Sequence, residues 1–253
     1  MLIDTHLHLD AAEFDADRAA VLERARATGV GGFVTPTVER AGFARTLALA
    51  GMASDVFPAL GIHPLYAGRA SEADLAALDA LLGQGVCVAV GEIGLDHYAP
   101  GVDAARQSAF FVAQLELARR HGLPVILHVR RAQDAVLAAL RRVRVAGGIA
   151  HAFNGSLQQA GAFIALGFRL GFGGAMTFPG ARRIRRLAAE LPLTAIVLET
   201  DAPDMSPAWG LGARNVPENL RRYAETLAGL RGADVTDVIS ATGANARAAL
   251  GFQ

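Results

Sequence analysis

The chain alternates short apolar runs with longer amphipathic segments, and this alternation restricts the folds open to it. The apolar runs predict eight strands, at 2–6, 30–35, 56–61, 86–91, 124–128, 148–151, 168–171 and 195–200. Helical periodicity predicts helices at 16–28, 40–52, 71–82, 103–121, 132–142, 156–166, 180–190 and 217–229, with a further one near 234–249. Repeated βα units without a compositional break predict a single-domain (β/α)₈ TIM-like barrel over residues 1–253, with an extra C-terminal helix.

A doubly wound open sheet is the alternative fold. It requires a glycine-rich dinucleotide-binding turn after the first strand, where this chain instead has Asp4-Thr5-His6-Leu7-His8. Predicted helix ends support the βα reading, since Ser71 and Asp74 resemble a capping box and Gly122 suits a left-handed helix terminus. The barrel is therefore the preferred prediction.

Charge and composition narrow the function. The 24 basic residues balance 24 acidic ones, so the chain lacks the strongly basic character typical of duplex nucleic-acid binding domains. All of the basic residues are arginine, which excludes lysine Schiff-base chemistry and a carbamylated-lysine metal bridge. The lone Cys87 excludes an internal disulfide, and no apolar run reaches the ~20 residues of a membrane span. We expect a cytoplasmic protein that needs no membrane and no obligate protein partner.

Histidines and carboxylates gather where the predicted strands end. Five of the seven histidines lie there, and in a parallel barrel the carboxyl ends of the strands meet on one face. The residues concerned are His6, His8, His63, Glu92, His128, His151 and Asp201. This placement predicts a metal site at that face.

Six of these side chains exceed the ligand set of one tetrahedral ion, and they suit two divalent ions that share a carboxylate and a water. We expect His6, His8 and Asp201 on one ion, with His128 and His151 on the other. Without a lysine, the shared ligand is predicted to be Glu92. Asp201 is also a candidate general base, and Glu199 on its strand face is predicted to support it without binding metal.

The sequence resembles a known family, the TatD-type metal-dependent deoxyribonucleases of the amidohydrolase superfamily. The matching motifs span nearly the whole chain. They are Ile3-Asp4-Thr5-His6-Leu7-His8-Leu9-Asp10, Gly61-Ile62-His63-Pro64, Gly91-Glu92-Ile93-Gly94-Leu95-Asp96, Leu123-Pro124-Val125-Ile126-Leu127-His128, His151-Ala152-Phe153-Asn154-Gly155-Ser156 and Leu198-Glu199-Thr200-Asp201-Ala202-Pro203. The resemblance implies the same six ligands and hydrolysis of DNA phosphodiester bonds, typically as a 3′→5′ exonuclease. It further implies phosphate contacts by His63 and Arg130.

Several features outside the ligand set have two interpretations. Arg214, after the last strand, is a candidate phosphate clamp. Gly171-Phe172-Gly173-Gly174 suits either phosphate binding by backbone amides or a tight turn. Arg182-Arg183 predicts a solvated helix face, with a nucleic-acid path as the alternative.

Two arguments predict different identities for the ions. Four imidazoles favour Zn²⁺ and other transition metals over Mg²⁺, whereas the resemblance implies activity with Mg²⁺ or Mn²⁺. Two other functions also fit the ligands: hydrolysis of another bond, such as an aminoacyl-tRNA ester or a cyclic amide, and an idle metal-binding scaffold.

Overall fold

A computed structural model describes residues 1–251. The strands are β1 (Leu2–Asp4), β2 (Val30–Pro36), β3 (Val56–Leu60), β4 (Ala89–Asp96), β5 (Val125–Arg130), β6 (Gly148–Ala150), β7 (Phe168–Phe172) and β8 (Ile196–Leu198). The helices are α1 (Arg18–Ala27), α2 (Phe43–Met52), α3 (Glu72–Leu82), α4 (Ala104–His121), α5 (Gln133–Arg142), α6 (Leu157–Ala165), α7 (Arg182–Glu190), α8 (Leu220–Arg231) and α9 (Val235–Leu250).

The strands form one parallel sheet in the order β1 to β8, with each strand beside its neighbour in the sequence. The sheet closes on itself next to β1, where the Thr5 amide donates to the Leu198 carbonyl oxygen at 3.1 Å and the Asp201 amide donates to that of His6 at 2.8 Å. The predicted barrel is therefore confirmed, including its extra C-terminal helix α9, and the open-sheet alternative is excluded.

Apolar side chains fill the barrel interior and leave one end for polar groups. A buried cluster takes one residue from each of seven strands: Ile3, Val34, Ala59, Ala89, Ile126, Ile149 and Val197. Helix α9 packs Ala246 and Leu250 against this cluster, and its Asn245 amide nitrogen donates to the carbonyl oxygens of Leu193 and Ile196. Because α9 covers the end where the strands begin, the carboxyl end is the one available for a site.

All eight strands differ from their predicted bounds by one or more residues, and the differences at β1 and β4 affect the site. The first ends at Asp4 instead of residue 6, since beyond it the backbone bonds to several neighbours: Leu7 to Val34 and His8 to Ala202. The run 86–88 is apolar but precedes β4, which begins at Ala89 and continues to Asp96. Consequently β4 carries Glu92 within the strand rather than after it.

The helices agree with the predicted positions to within a few residues. Two predicted starts, at 40 and 217, are short 3₁₀ turns that precede α2 and α8. The capping box is present at α3, where the Asp74 carboxylate accepts from the Ser71 amide at 2.8 Å. Among residues 1–251, no helix combines the length and the apolar character needed to cross a membrane.

Candidate metal centre

The six predicted ligands come together at the carboxyl end of the barrel. His6 and His8 follow β1, Glu92 lies in β4, His128 in β5, His151 after β6 and Asp201 after β8. All except the fully buried His6 line a cavity of about 550 Å³. Residues separated by nearly 200 positions thus face one space.

One group of ligand atoms matches the first predicted set. His6, His8 and Asp201 each offer an atom within 4.8 Å of the others. The Asp201 Oδ1 atom lies 3.6 Å from Nε2 of both histidines. Glu92 approaches the same pair, with Oε2 3.3 Å from His6 Nε2 and 3.9 Å from His8 Nε2.

The remaining histidines divide differently from the prediction. His151 groups with His6 and Glu92, and its ring stacks on that of His6 with 3.7 Å between centroids. His128 groups instead with His63 and Glu92. Glu92 belongs to both of these groups, as expected of a shared ligand, whereas His128 and His151 do not fall in a single group among the described residues.

His6 is the strongest sign that the cluster suits a cation. Its ring is fully buried, and neither Nδ1 nor Nε2 makes a hydrogen bond among the described residues. Burial, together with the neighbouring His151, holds the pKa of His6 well below its usual value, so the ring is neutral. A buried neutral imidazole with unused nitrogens is costly to leave unpaired and is the form that binds metals. The residues therefore fit a divalent ion.

His128 and His151 are each held between two carboxylates. His128 contacts Glu92 through Nδ1 at 3.0 Å and Asp96 through Nε2 at 3.1 Å. Burial opposes ionisation, but these contacts raise the pKa of His128. Burial likewise opposes the charged form of His151, yet Glu199 and Asp201 raise its pKa to about 10.

Burial opposes the ionisation of both central carboxylates, Glu92 and Asp201. Burial favours the neutral acid of Glu92, but the surrounding imidazoles of His63, His6 and His128 hold its pKa well below the usual value. At Asp201 burial prevails over the attraction of His151 and His8 and raises the pKa to about 6. The cluster thus contains one firmly ionised carboxylate and one that titrates near neutrality, a pattern common at functional sites.

A buried network fixes the backbone that carries Asp201. The Asp4 carboxylate accepts from the Thr200 amide at 2.9 Å and from the Thr200 hydroxyl at 2.5 Å. Asn215 donates to the Thr200 carbonyl oxygen at 2.8 Å. Asp201 itself has a φ of 57°, which non-glycine residues seldom adopt, so these bonds to its neighbour stabilise an uncommon conformation.

The glycines at the end of β7 make room for Glu199. A methyl group on Gly171 would collide with the Glu199 carboxylate, and one on Gly173 would collide with the Glu199 backbone. Glu199 in turn accepts from the Ala152 amide at 2.6 Å and lies 3.1 Å from His151 Nδ1. The glycine run is therefore a close-packing element that seats Glu199 against His151.

Asp96 is a site residue that sequence reasoning left without a role. It is fully buried, contacts His128 and also accepts from the amides of Tyr98 and Ala99. The signal was its position four residues after Glu92, which places both on one face of a strand. That signal depended on knowing that β4 continues to Asp96.

The predicted substrate contacts lie in different places. His63 is buried at the cavity wall with Nε2 3.7 Å from Glu92 Oε1, and Arg130 lines the cavity mouth. Arg214 does not line this cavity: its guanidinium donates to the Asp17 carboxylate at 2.7 and 2.9 Å and lies over the Phe14 ring. The structure thus brings His63 and Arg130 to the site and engages Arg214 elsewhere.

The chain is similar to known proteins over nearly its whole length. Residues 3–251 match the family model described as TatD related DNase. An uncharacterized metal-dependent hydrolase of Escherichia coli K12, YjjV, is 43% identical over 232 residues, which cover 90% of each protein. A protein of Edwardsiella piscicida named as a 3′-5′ ssDNA/RNA exonuclease, TatD, is 34% identical over 97% of this chain and 98% of its own length.

Solved structures show the same barrel. The crystal structure of YjjV from Escherichia coli K12, a TatD homologue, superposes with a TM-score of 0.95 at 40% identity, covering 100% of this chain and 98% of that one. A TatD-family hydrolase from Entamoeba histolytica shares the fold at 18% identity, with a TM-score of 0.86 over 97% of this chain and 96% of that one. The chain belongs to the TatD family of metal-dependent hydrolases.

Proposed function

We propose that this protein is a deoxyribonuclease that cleaves phosphodiester bonds with two divalent ions, as a 3′→5′ exonuclease. The observation that carries the proposal is the overlap of three possible ion-binding groups at Glu92 and His6, at the open end of the barrel. The proposed ligands are the six predicted from the sequence: His6, His8, Glu92, His128, His151 and Asp201. Divalent ions bound there polarise a phosphodiester and lower the pKa of a water molecule.

The carboxylates of the site have different proposed roles. Glu92, ionised and central, is suited to be the ligand common to both ions. Asp201 titrates near neutral pH, with its pKa raised to about 6, and is therefore suited to accept a proton from the attacking water. Glu199 and Asp96 keep His151 and His128 oriented, as carboxylates commonly do for metal-binding histidines.

His63 is proposed to contact the substrate and not the metal. Its Nδ1 accepts a hydrogen bond from the Leu65 amide at 3.2 Å, and burial lowers its pKa to about 4. In a neutral imidazole whose Nδ1 is an acceptor, Nε2 carries the proton. His63 Nε2 is then a donor to a phosphate oxygen, although it lies among the ligand atoms.

Arg130 is proposed as the second phosphate contact. It ends β5, two residues after His128, and lines the cavity without a carboxylate partner in the described part of the chain. A free guanidinium beside the metal site suits a phosphate group. The names of the family and of the Edwardsiella piscicida relative support DNA as the substrate.

Digestion of single-stranded DNA labelled at its 5′ end tests the proposal. With Mn²⁺ or Mg²⁺, we expect products that shorten progressively from the 3′ end. Asp201→Asn provides the matched variant: it keeps an oxygen ligand but removes the base, so metal is retained and cleavage is lost. Absence of cleavage with any divalent ion refutes the nuclease. Release of the amino acid from charged tRNA by the same preparation indicates an esterase instead.

A further inference from the structure

A second cavity adjoins the metal centre and is lined by arginines. It has a volume of about 620 Å³ and shares Arg130 and Asn154 with the first cavity. Its other lining residues include Tyr98, Arg131 and Arg183. The two cavities thus form a continuous surface that leads from the metal ligands across β5 towards α7.

The charges of this second cavity are uncompensated. Its lining contains three arginines and no acidic residue. Arg130, Arg131 and Arg183 are all exposed, and within residues 1–251 none of them pairs with a carboxylate. Arginines elsewhere are commonly neutralised, as Arg26 is by Asp55 at 2.7 Å. An accumulation of free guanidinium groups on a neutral protein indicates an anionic ligand.

Tyr98 organises two of the three arginines. The Arg130 and Arg131 guanidinium carbons lie 4.1 and 4.5 Å from the centre of its ring. Consecutive residues of a strand point to opposite faces, so both reach one ring only because the chain turns after β5, where Arg131 has a φ of 52°. Cation–π contact holds a guanidinium in place while its N–H groups remain free for phosphate.

Polar donors complete the surface. Gln133 donates to Asn154 Oδ1 at 3.0 Å, which leaves the Asn154 amide nitrogen without a partner among the described residues. Tyr98 is 48% exposed, and an exposed aromatic beside cations is a common platform for a nucleic-acid base. The cavity therefore offers phosphate donors and a stacking surface together.

We propose that this cavity is a subsite for the single-stranded DNA segment next to the scissile nucleotide. Arg131 and Arg183 each bind a backbone phosphate beyond the one held at the metal centre, and Tyr98 supports a base. The identity of the ligand as DNA rests on the function proposed above. The sequence predicted Arg182 and Arg183 on a solvated helix face. Of the two, Arg183 lines the second cavity and faces the proposed path of the DNA strand.

Fluorescence anisotropy of a labelled oligothymidylate of about eight nucleotides, within the usual site size of single-strand binding surfaces, tests the subsite. The titration uses protein in excess EDTA, so binding is measured without hydrolysis. We expect Arg131→Gln with Arg183→Gln to weaken binding at least tenfold. The slope of log affinity against log salt should fall in magnitude by about 1.4, since each lost single-strand phosphate contact contributes about 0.7.

The matched control is Arg141→Gln with Arg142→Gln, which removes the same charge at the far end of α5, where both arginines are exposed and line neither cavity. It should change affinity less than twofold. Equal effects of the two double variants, or no binding by the parent protein, overturn the subsite. A competition experiment gives a further test. If thymidine monophosphate competes as effectively per phosphate as the oligomer does, the subsite is overturned, because a single phosphate ester then accounts for the binding.

These experiments distinguish failure of the proposed subsite from failure of the proposed nuclease activity. If the protein cleaves DNA with Mn²⁺ but the double variant and its control bind the oligomer with equal affinity, the proposed subsite is wrong and the proposed nuclease activity stands. Selective loss of oligomer binding, without DNA cleavage by the parent protein, removes the nuclease and retains a site for polynucleotide.

Discussion

His6 Nε2 lies 3.3 Å from Glu92 Oε2, yet the two atoms make no hydrogen bond, and both side chains are almost completely buried. The contact therefore places a buried imidazole nitrogen beside a buried carboxylate oxygen, and the two are not joined by a hydrogen bond. Both atom types are metal ligands, so this part of the cluster suits the proposed metal ion.

Replacement of Glu92 with Gln should disrupt both ions at once, because this carboxylate belongs to two of the three ligand groups. We expect bound metal to fall and hydrolysis to decrease by at least about 100-fold, beyond the range typical of groups that only orient a ligand. Elemental analysis and a phosphodiesterase assay measure the two effects. Glu116→Gln, on the exposed face of α4, is the control. Full metal content in Glu92→Gln contradicts its role as a shared ligand.

Substitution of His63 with Ala distinguishes a substrate contact from a metal ligand. The hydrogen bond from Leu65 makes Nε2 a donor, so we expect unchanged metal content and a loss of about tenfold in kcat/KM, typical of a hydrogen bond to a charged group. The exposed His97→Ala serves as the control and should resemble the parent protein. Loss of metal from His63→Ala makes this residue a ligand.

A methyl group at Gly171 should displace Glu199. We expect Gly171→Ala to lower stability by about 1–3 kcal/mol, the usual cost of overpacking, and to reduce activity because Glu199 no longer supports His151. Thermal unfolding and hydrolysis rates report the two effects. Gly161→Ala in α6 is the matched control, since its methyl group meets nothing within 4 Å and favours the helix by about 0.5–1 kcal/mol. Equal stability of the two variants contradicts the packing account.

Asp96→Asn tests the support of His128. The amide oxygen can still accept from the Tyr98 and Ala99 backbone, so the fold should be retained. Loss of the negative charge leaves His128 less firmly oriented, and we expect metal affinity and activity to fall by about 10–100-fold. Metal titration of this variant against the exposed Asp237→Asn provides the comparison. Unaltered metal affinity would mean that Asp96 stabilises only the turn at Tyr98 and Ala99 and does not support His128.

The barrel and the gathering of the ligands were predictable because both follow from periodic patterns. Strand ends on one face of a parallel barrel converge, so His6, Glu92 and His128 were predicted to meet before their distances were known. The order of the motifs also indicated the family.

The groupings within the site were not predictable, because they depend on where strands stop and on contacts distant in the sequence. The apolar run 86–88 concealed the true position of β4 and with it the alignment of Asp96 and Glu92. The ion pair between Arg214 and Asp17 joins residues 197 positions apart, and no local pattern indicates it. The packing of Gly171 on Glu199 likewise needs the tertiary structure.

Titration of Mn²⁺ into chelator-treated protein, with hydrolysis of bis(p-nitrophenyl) phosphate followed at each step, tests the central claim most directly. The account predicts no hydrolysis by the metal-free protein and a return of activity that saturates at two ions per chain. Hydrolysis that persists without metal, or that no divalent ion restores, contradicts it.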